Sequence, residues 1–188
     1  MSLSVKDRGA WVATYRYIHV TLMEMLARWV PTTPEMEVKL VFGSHIWYLA
    51  QHADALGKRT HELRLALQHS IPPVKEYLGF LDELGRVTET PKRIAGMYDV
   101  MLPALGVRLR SYLERTDQLM DAPTVRIVER ILDEDQRMIR EGRGLREELP
   151  AVGSVDGTWV RRLAATESTV SDPVAPVAAV ASAVREAS

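Results

Sequence analysis

The sequence predicts an all-α protein: four long helices in two hairpins, joined by a long crossover that carries a short extra helix. Three observations predict it. Apolar residues recur at spacings of three and four in four separate segments. A proline follows a threonine at two places where a helix would begin, Thr33-Pro34 and Thr90-Pro91. The second and third segments are joined by residues 72–90, the third and fourth only by residues 119–123. A tight connection makes antiparallel neighbours, whereas a long one can cross the end of a bundle.

The first helix is expected over residues 8–29, with Asp7 as its cap. Trp11, Tyr15, Ile18, Leu22, Met25 and Trp29 form its inner seam, with His19 on the flank and Glu24 on the far side. Pro31 and Pro34 end it. The second helix is expected from Thr33-Pro34 to about His69, and Gly57 is a candidate bend. In the crossover, Val74, Tyr77, Leu78 and Leu81 suggest a short helix that stops at Gly85. The third helix is expected over 91–120, where Pro103 should kink it or open a bulge. The fourth is expected over 122–148 after Asp121, with Asp135 in the middle of its apolar face and Glu129, Asp133 and Glu134 pointing elsewhere. Residues 1–149 make one domain, and from Pro150 the composition turns to Ala, Val, Ser, Thr and Pro. Residues 150–188 are therefore expected to form a flexible, disordered C-terminal tail.

Composition removes several classes of function. Lysine plus arginine (24) balances aspartate plus glutamate (25), so nothing argues for nucleic acid or an anionic membrane. There is no cysteine, which excludes disulfides and thiolate chemistry and fits the cytoplasm. No secretory h-region is visible, and no stretch approaches the ~20 apolar residues of a membrane span.

The informative feature is a polar stripe inside an apolar one. Residues 45–64 read HIWYLAQHADALGKRTHELR, and His45, His52 and Arg59 stand seven apart on the stripe that carries Val38, Phe42, Leu49, Leu56 and Leu63. Buried polar groups need partners. His19, Tyr98 and Asp135 are the other polar residues on inward-facing positions.

Two short stretches resemble ferritin-like di-iron proteins. Residues 49–56, LAQHADAL, are similar to the second-helix segment E-x-x-H-A-[ED]-x-L, and residues 133–139, DEDQRMI, to the fourth-helix segment D-E-x-x-H-I. The resemblance covers about residues 8–148 and implies a ferritin-like four-helix bundle. It also implies a metal site built from a Glu on each of two helices and an E-x-x-H on each of the others. The chain departs from that pattern. Leu49 stands for the second-helix Glu, while Asp135 and Met138 stand for the fourth-helix pair. Tyr98, Leu102 and Leu105 occupy the third-helix level, and His19 is the first-helix residue that best faces His52. Leucine and methionine are not ligands for iron.

The expectation is a degenerate site and a structural or assembly role, with no cofactor and a buried polar network in which Asp135 pairs with Arg59 or a protonated histidine. His45, Arg59 and Tyr98 belong to that network. The alternative is an iron- or manganese-dependent oxidase or oxygenase with an altered site, in which His19, His52 and Asp135 hold one metal ion and Tyr98 lies nearby. A small-molecule pocket beside the cluster, loosened by Pro103 and Gly57, is a further possibility. Trp47, Leu40 and Leu65 on the outer side of the second helix point to a homodimer. Residues 157–164, GTWVRRLA, are the one sticky patch of the tail and offer it to an assembly partner, faintly as in nanocompartment cargo.

Overall fold

The structure is a computed structural model that describes residues 3–175. Among these residues helix is the only regular secondary structure. The order is α1 (Val5–Trp29), a 3₁₀ turn, α2 (Met36–Glu62), α3 (Lys75–Gly85), α4 (Thr90–Ala95), a π-helical segment (Gly96–Met101), α5 (Leu102–Arg115), α6 (Ala122–Glu148), a 3₁₀ turn and α7 (Gly157–Ser168). No helix among the described residues is long and apolar enough to cross a membrane.

The helix ends differ from expectation where a local hydrogen bond outweighs sequence pattern. The cap of α1 is Ser4, not Asp7. Its hydroxyl accepts from the Asp7 N–H while the Asp7 carboxylate accepts from the Ser4 N–H, both at 3.1 Å, a reciprocal capping box. Thr33 does not cap α2, which begins behind Glu35. Instead the Thr33 hydroxyl donates to the Trp29 carbonyl at 2.8 Å and accepts from the Arg93 guanidinium at 2.9 Å. Arg93 also reaches the Thr32 hydroxyl and the Trp29 and Val87 carbonyls, and it stacks over the Trp29 ring. One buried arginine thus satisfies the open carbonyl end of α1 and fixes the start of α4 against it.

Helix α2 stops at Glu62, short of His69. The chain turns back on itself, with Arg64 and Gln68 at positive φ (66° and 58°). Gly57 is the acceptor for that turn, not a bend. Its carbonyl takes the Gln68 N–H, and a Cβ at this position would lie 1.9 Å from the Gln68 side chain. Gln68 then accepts from Arg16 and donates to Asp54, tying α1, α2 and the turn together.

α1 packs along α2, α2 along α6, and α5 and the π segment along α6, enclosing one continuous core. The crossover carries α3 and ends it at Gly85, whose carbonyl accepts from Trp29 Nε1. The strain foreseen at Pro103 is taken up one turn earlier. Proline lacks the N–H that would continue the α pattern, and the preceding residues 96–101 widen into the π segment. Tyr98 sits in that segment. Its ring lies where a Cβ on Gly142 of α6 would be, 2.2 Å away, so only glycine admits it.

The expected tail is partly ordered. α7 buries Leu163 and lays Trp159 beside Gly96. Arg108 of α5 pairs with Glu167 at 2.8 Å and holds the Val170 and Ser171 carbonyls. The Val74 N–H donates to the Pro173 carbonyl. The patch around Trp159 therefore packs against the protein's own π segment. Composition missed this because a 12-residue helix with one buried leucine leaves only a weak periodic signal. Residues 176–188 of the expected tail lie outside the described residues.

Gly142→Ala should destabilise the fold by about 1–3 kcal/mol or more, since a buried tyrosine ring must move. Gly144→Ala on the same helix meets nothing within 4 Å and should gain about 0.5–1 kcal/mol from helix propensity. Urea unfolding of the two variants checks the contrast.

Candidate functional site

The polar stripe of α2 is answered mainly by α6. His45 is fully buried, with Nδ1 2.7 Å from the Tyr98 hydroxyl and Nε2 3.0 Å from Glu141. A carboxylate only accepts, so Nε2 carries the proton and Tyr98 donates to Nδ1. One register along, His52 Nε2 lies 2.6 Å from Glu134, which makes Nε2 the protonated nitrogen there as well. Each glutamate is held in turn by an arginine four residues before it: Arg137 for Glu141 and Arg130 for Glu134. The chain runs from a buried phenol or imidazole to a partly exposed carboxylate and on to an exposed guanidinium.

Glu134 is thus a partner of His52 and does not point elsewhere. Glu141 was not foreseen either. A signal existed in the sequence: Glu134 and Glu141 stand seven residues apart on α6, as His45 and His52 do on α2. Antiparallel helices match such spacings pair by pair.

Arg59 is not near Asp135, and it does not share the His45–Tyr98 cluster. It closes a third polar site at the far end of α2. Its guanidinium reaches Asp121 at 3.0 Å, the Thr124 hydroxyl at 2.8 Å and Glu62 at 2.7 Å. Asp121 is buried and also accepts from Thr124, Thr116 and Tyr112. Burial by itself would raise its pKa, but these hydrogen bonds and Arg59 outweigh it and hold the carboxyl below the usual range. Asp121 was expected as a helix cap. It precedes α6, yet its side chain binds no α6 backbone N–H.

His19, His52 and Asp135 do come together. The rings of His19 and His52 meet edge to face at 5.3 Å, and His52 Nδ1 lies 3.9 Å from Asp135 Oδ1. The His19 Nδ1–H donates to the Tyr15 carbonyl at 2.7 Å. Both outer nitrogens are therefore spent as donors, and His19 Nε2 and His52 Nδ1 are left as lone pairs. These two atoms and both oxygens of Asp135 are buried and have no hydrogen-bond partner among the described residues. Burial pushes both histidines down to about 3, helped at His19 by His52 and at His52 by Arg130. Burial, with Glu134 beside it, holds the Asp135 carboxyl well above its usual range. The centre is an uncharged one: two neutral imidazoles and a carboxylic acid whose proton is its own only donor.

Two imidazole lone pairs and a carboxyl group are the right donor types for a mononuclear metal ion, and each histidine has the outer hydrogen bond that such ligands use. The spacing does not fit. Among the described residues no group of three or more histidine, aspartate or glutamate side chains is placed to hold a metal ion. Leu49, Met138, Leu102 and Leu105 are buried core residues. Tyr98 hydrogen-bonds His45 and does not turn to this centre. No family model, curated protein or solved structure matches the chain.

Two predictions separate the two buried aspartates. Asp121→Ala should cost about 3–5 kcal/mol, because it removes the buried carboxylate to which Arg59, Tyr112, Thr116 and Thr124 all donate. Asp135→Asn should stabilise the protein at neutral pH. The unfolded carboxyl ionises near 3.9 and the native one far higher, so above about pH 4 the wild-type acid favours the unfolded state.

The histidines act with the opposite sign. His19 and His52 have native pKa values lowered to about 3, so their contribution is complete above about pH 6.5 and is lost as pH falls toward 3; His45, also lowered, adds a loss of the same sign. Wild-type stability, from urea unfolding at a series of pH values, should rise from pH 4 to about 6.5. Asp135→Asn should make that rise steeper, because the raised Asp135 carboxyl opposes the histidines once pH passes the unfolded carboxyl's value.

Proposed function

We propose that the chain is a ferritin-like four-helix bundle that has lost di-iron chemistry and serves as a structural or assembly component in the cytoplasm. In this reading α1, α2, the continuous α4–π–α5 helix and α6 are the four helices, and α3 lies in the crossover. One observation carries it. The positions where the resemblance would put ligands, Leu49, Met138, Leu102 and Leu105, are buried apolar residues at no more than 1% exposure. They pack as core, and the polar side chains left between them are neutral.

The assembly half of the proposal rests on α2. Met36, Leu40 and Trp47 are 61%, 67% and 64% exposed, and with Gly43 between them they form a seam at spacings of four, three and four. Gly43 has nothing within 4 Å of its Cβ position, so another helix can approach closely there. A second copy laid antiparallel on the seam sets Leu40 of one copy against Trp47 of the other, a self-complementary contact of the kind a two-fold dimer needs. Leu65 is not part of the seam, since it packs over Gly9 of α1.

Sedimentation should show a dimer that Trp47→Glu converts to a folded monomer. A wild-type monomer at high concentration would overturn the assembly half. Elemental analysis of protein purified without chelator, alongside His52→Ala, tests the other half. Absence of stoichiometric metal in folded protein is the expected result. Stoichiometric iron or manganese that His52→Ala removes would instead assign the four unpartnered acceptor atoms to an altered oxidase or oxygenase centre.

A further inference from the structure

A cleft of about 230 Å³ opens between α2 and α6 directly over His52. Its walls are Gln51, Ala55, Arg126, Ile127, Arg130 and Ile131. No acidic side chain lines it. The lining is almost wholly apolar, from Ala55, Ile127, Ile131 and the stems of two arginines whose exposed guanidinium groups stand at its mouth. Arg126 makes no hydrogen bond or ion pair among the described residues, and neither does the Gln51 amide. Arg130 gives only its Nε, to Glu134 at 3.0 Å, which leaves both terminal nitrogens of its guanidinium uncommitted.

We propose that this cleft binds a small amphipathic carboxylate, a short aliphatic or aromatic monocarboxylic acid, with its carboxylate on Arg126, Arg130 and Gln51 and its apolar end on Ala55, Ile127 and Ile131. Three features fix the class. The unpaired Arg126 guanidinium and the two free terminal nitrogens of Arg130 select an anion, and a planar guanidinium fork matches a carboxylate. The floor rewards hydrocarbon, so a bare inorganic anion leaves most of the cleft unused. The volume lies below the ~300–1,000 Å³ of drug-sized pockets, which limits the ligand to a small acid.

The site does not depend on metal, and because the seam that sets Leu40 against Trp47 would also set Met36 against Gln51, the titration is run on Trp47→Glu protein as well as on wild type. Hexanoate titrated into ¹⁵N-labelled full-length protein is the direct test, with hexylamine and inorganic phosphate as comparisons. Hexanoate should shift amides of residues 51–55 and 126–131 in a saturable way, and the two comparisons should not. Arg126→Gln should weaken hexanoate about tenfold or more, the loss expected for a charge-assisted hydrogen-bond pair. Ala55→Leu fills the floor and should abolish binding while leaving the remaining spectrum in place. Equal response to hexylamine, saturable phosphate binding, or hexanoate binding that survives both substitutions would overturn the proposal.

Discussion

The structure depends on one constraint: three long polar side chains at seven-residue intervals on α2 are buried in an apolar stripe, and each must find a partner. A buried polar group without one costs several kcal/mol. α6 runs antiparallel to α2 with matching intervals and supplies Glu141 and Glu134, while Asp121 and Thr124 at its start supply Arg59. Those pairings fix the register of the two helices. A slide of α6 by one turn would take Glu141 from His45, Glu134 from His52 and Asp121 from Arg59. Hydrophobic packing alone would tolerate several registers. The polar rungs discriminate among them.

The same constraint shapes the partner helix. Tyr98 must reach His45 from the third core helix, and it does so from inside a π segment at the point where a widened turn swings the residue inward. The widening is set by Pro103 one turn on, and the room for the ring by Gly142 on α6. A tyrosine, a proline five residues on and a glycine on another helix thus serve one hydrogen bond to one histidine. α7 then packs over the outer side of the π segment, against Gly96, and covers the place where the helix departs from regular geometry.

Much of this was legible in the sequence. The four long helical segments, the helix in the crossover, Asp121 as the residue before α6 and the local disturbance at Pro103 follow from spacing and from proline chemistry. So does the meeting of His19, His52 and Asp135, read from stripe positions. Helix ends were less legible, because Ser4, Glu35 and the Gly57–Gln68 turn are decided by hydrogen bonds that no periodicity records. Partner choice was least legible. Glutamates at the edge of a face have side chains long enough to reach inward or outward, so wheel position placed Glu134 outside when its carboxylate turns in to His52. Arg59 and Asp135 are both buried polar residues, and only the lengths of α2 and α6 show that they lie at different levels.

Asp121 and Asp135 show how far environment decides chemistry. They are the same residue on one helical segment, 0% and 1% exposed. Asp121 has four donors around it, including a guanidinium, and stays ionised. Asp135 has two histidines whose only protons point away from it, so it has no donor to stabilise a charge and keeps its own proton. One fold therefore holds a carboxylate that locks helices together and a carboxylic acid that sits among lone pairs. In the second place the proton is the least demanding cation that can satisfy those acceptors. It needs no fixed ligand number and no ligand-to-ligand spacing, and the buried Leu49 and Met138 offer no hard donor that would supply one. A helical core can hold such acceptors without partners so long as they are neutral, and the acidity of Asp135 is the quantity in which that accommodation is written.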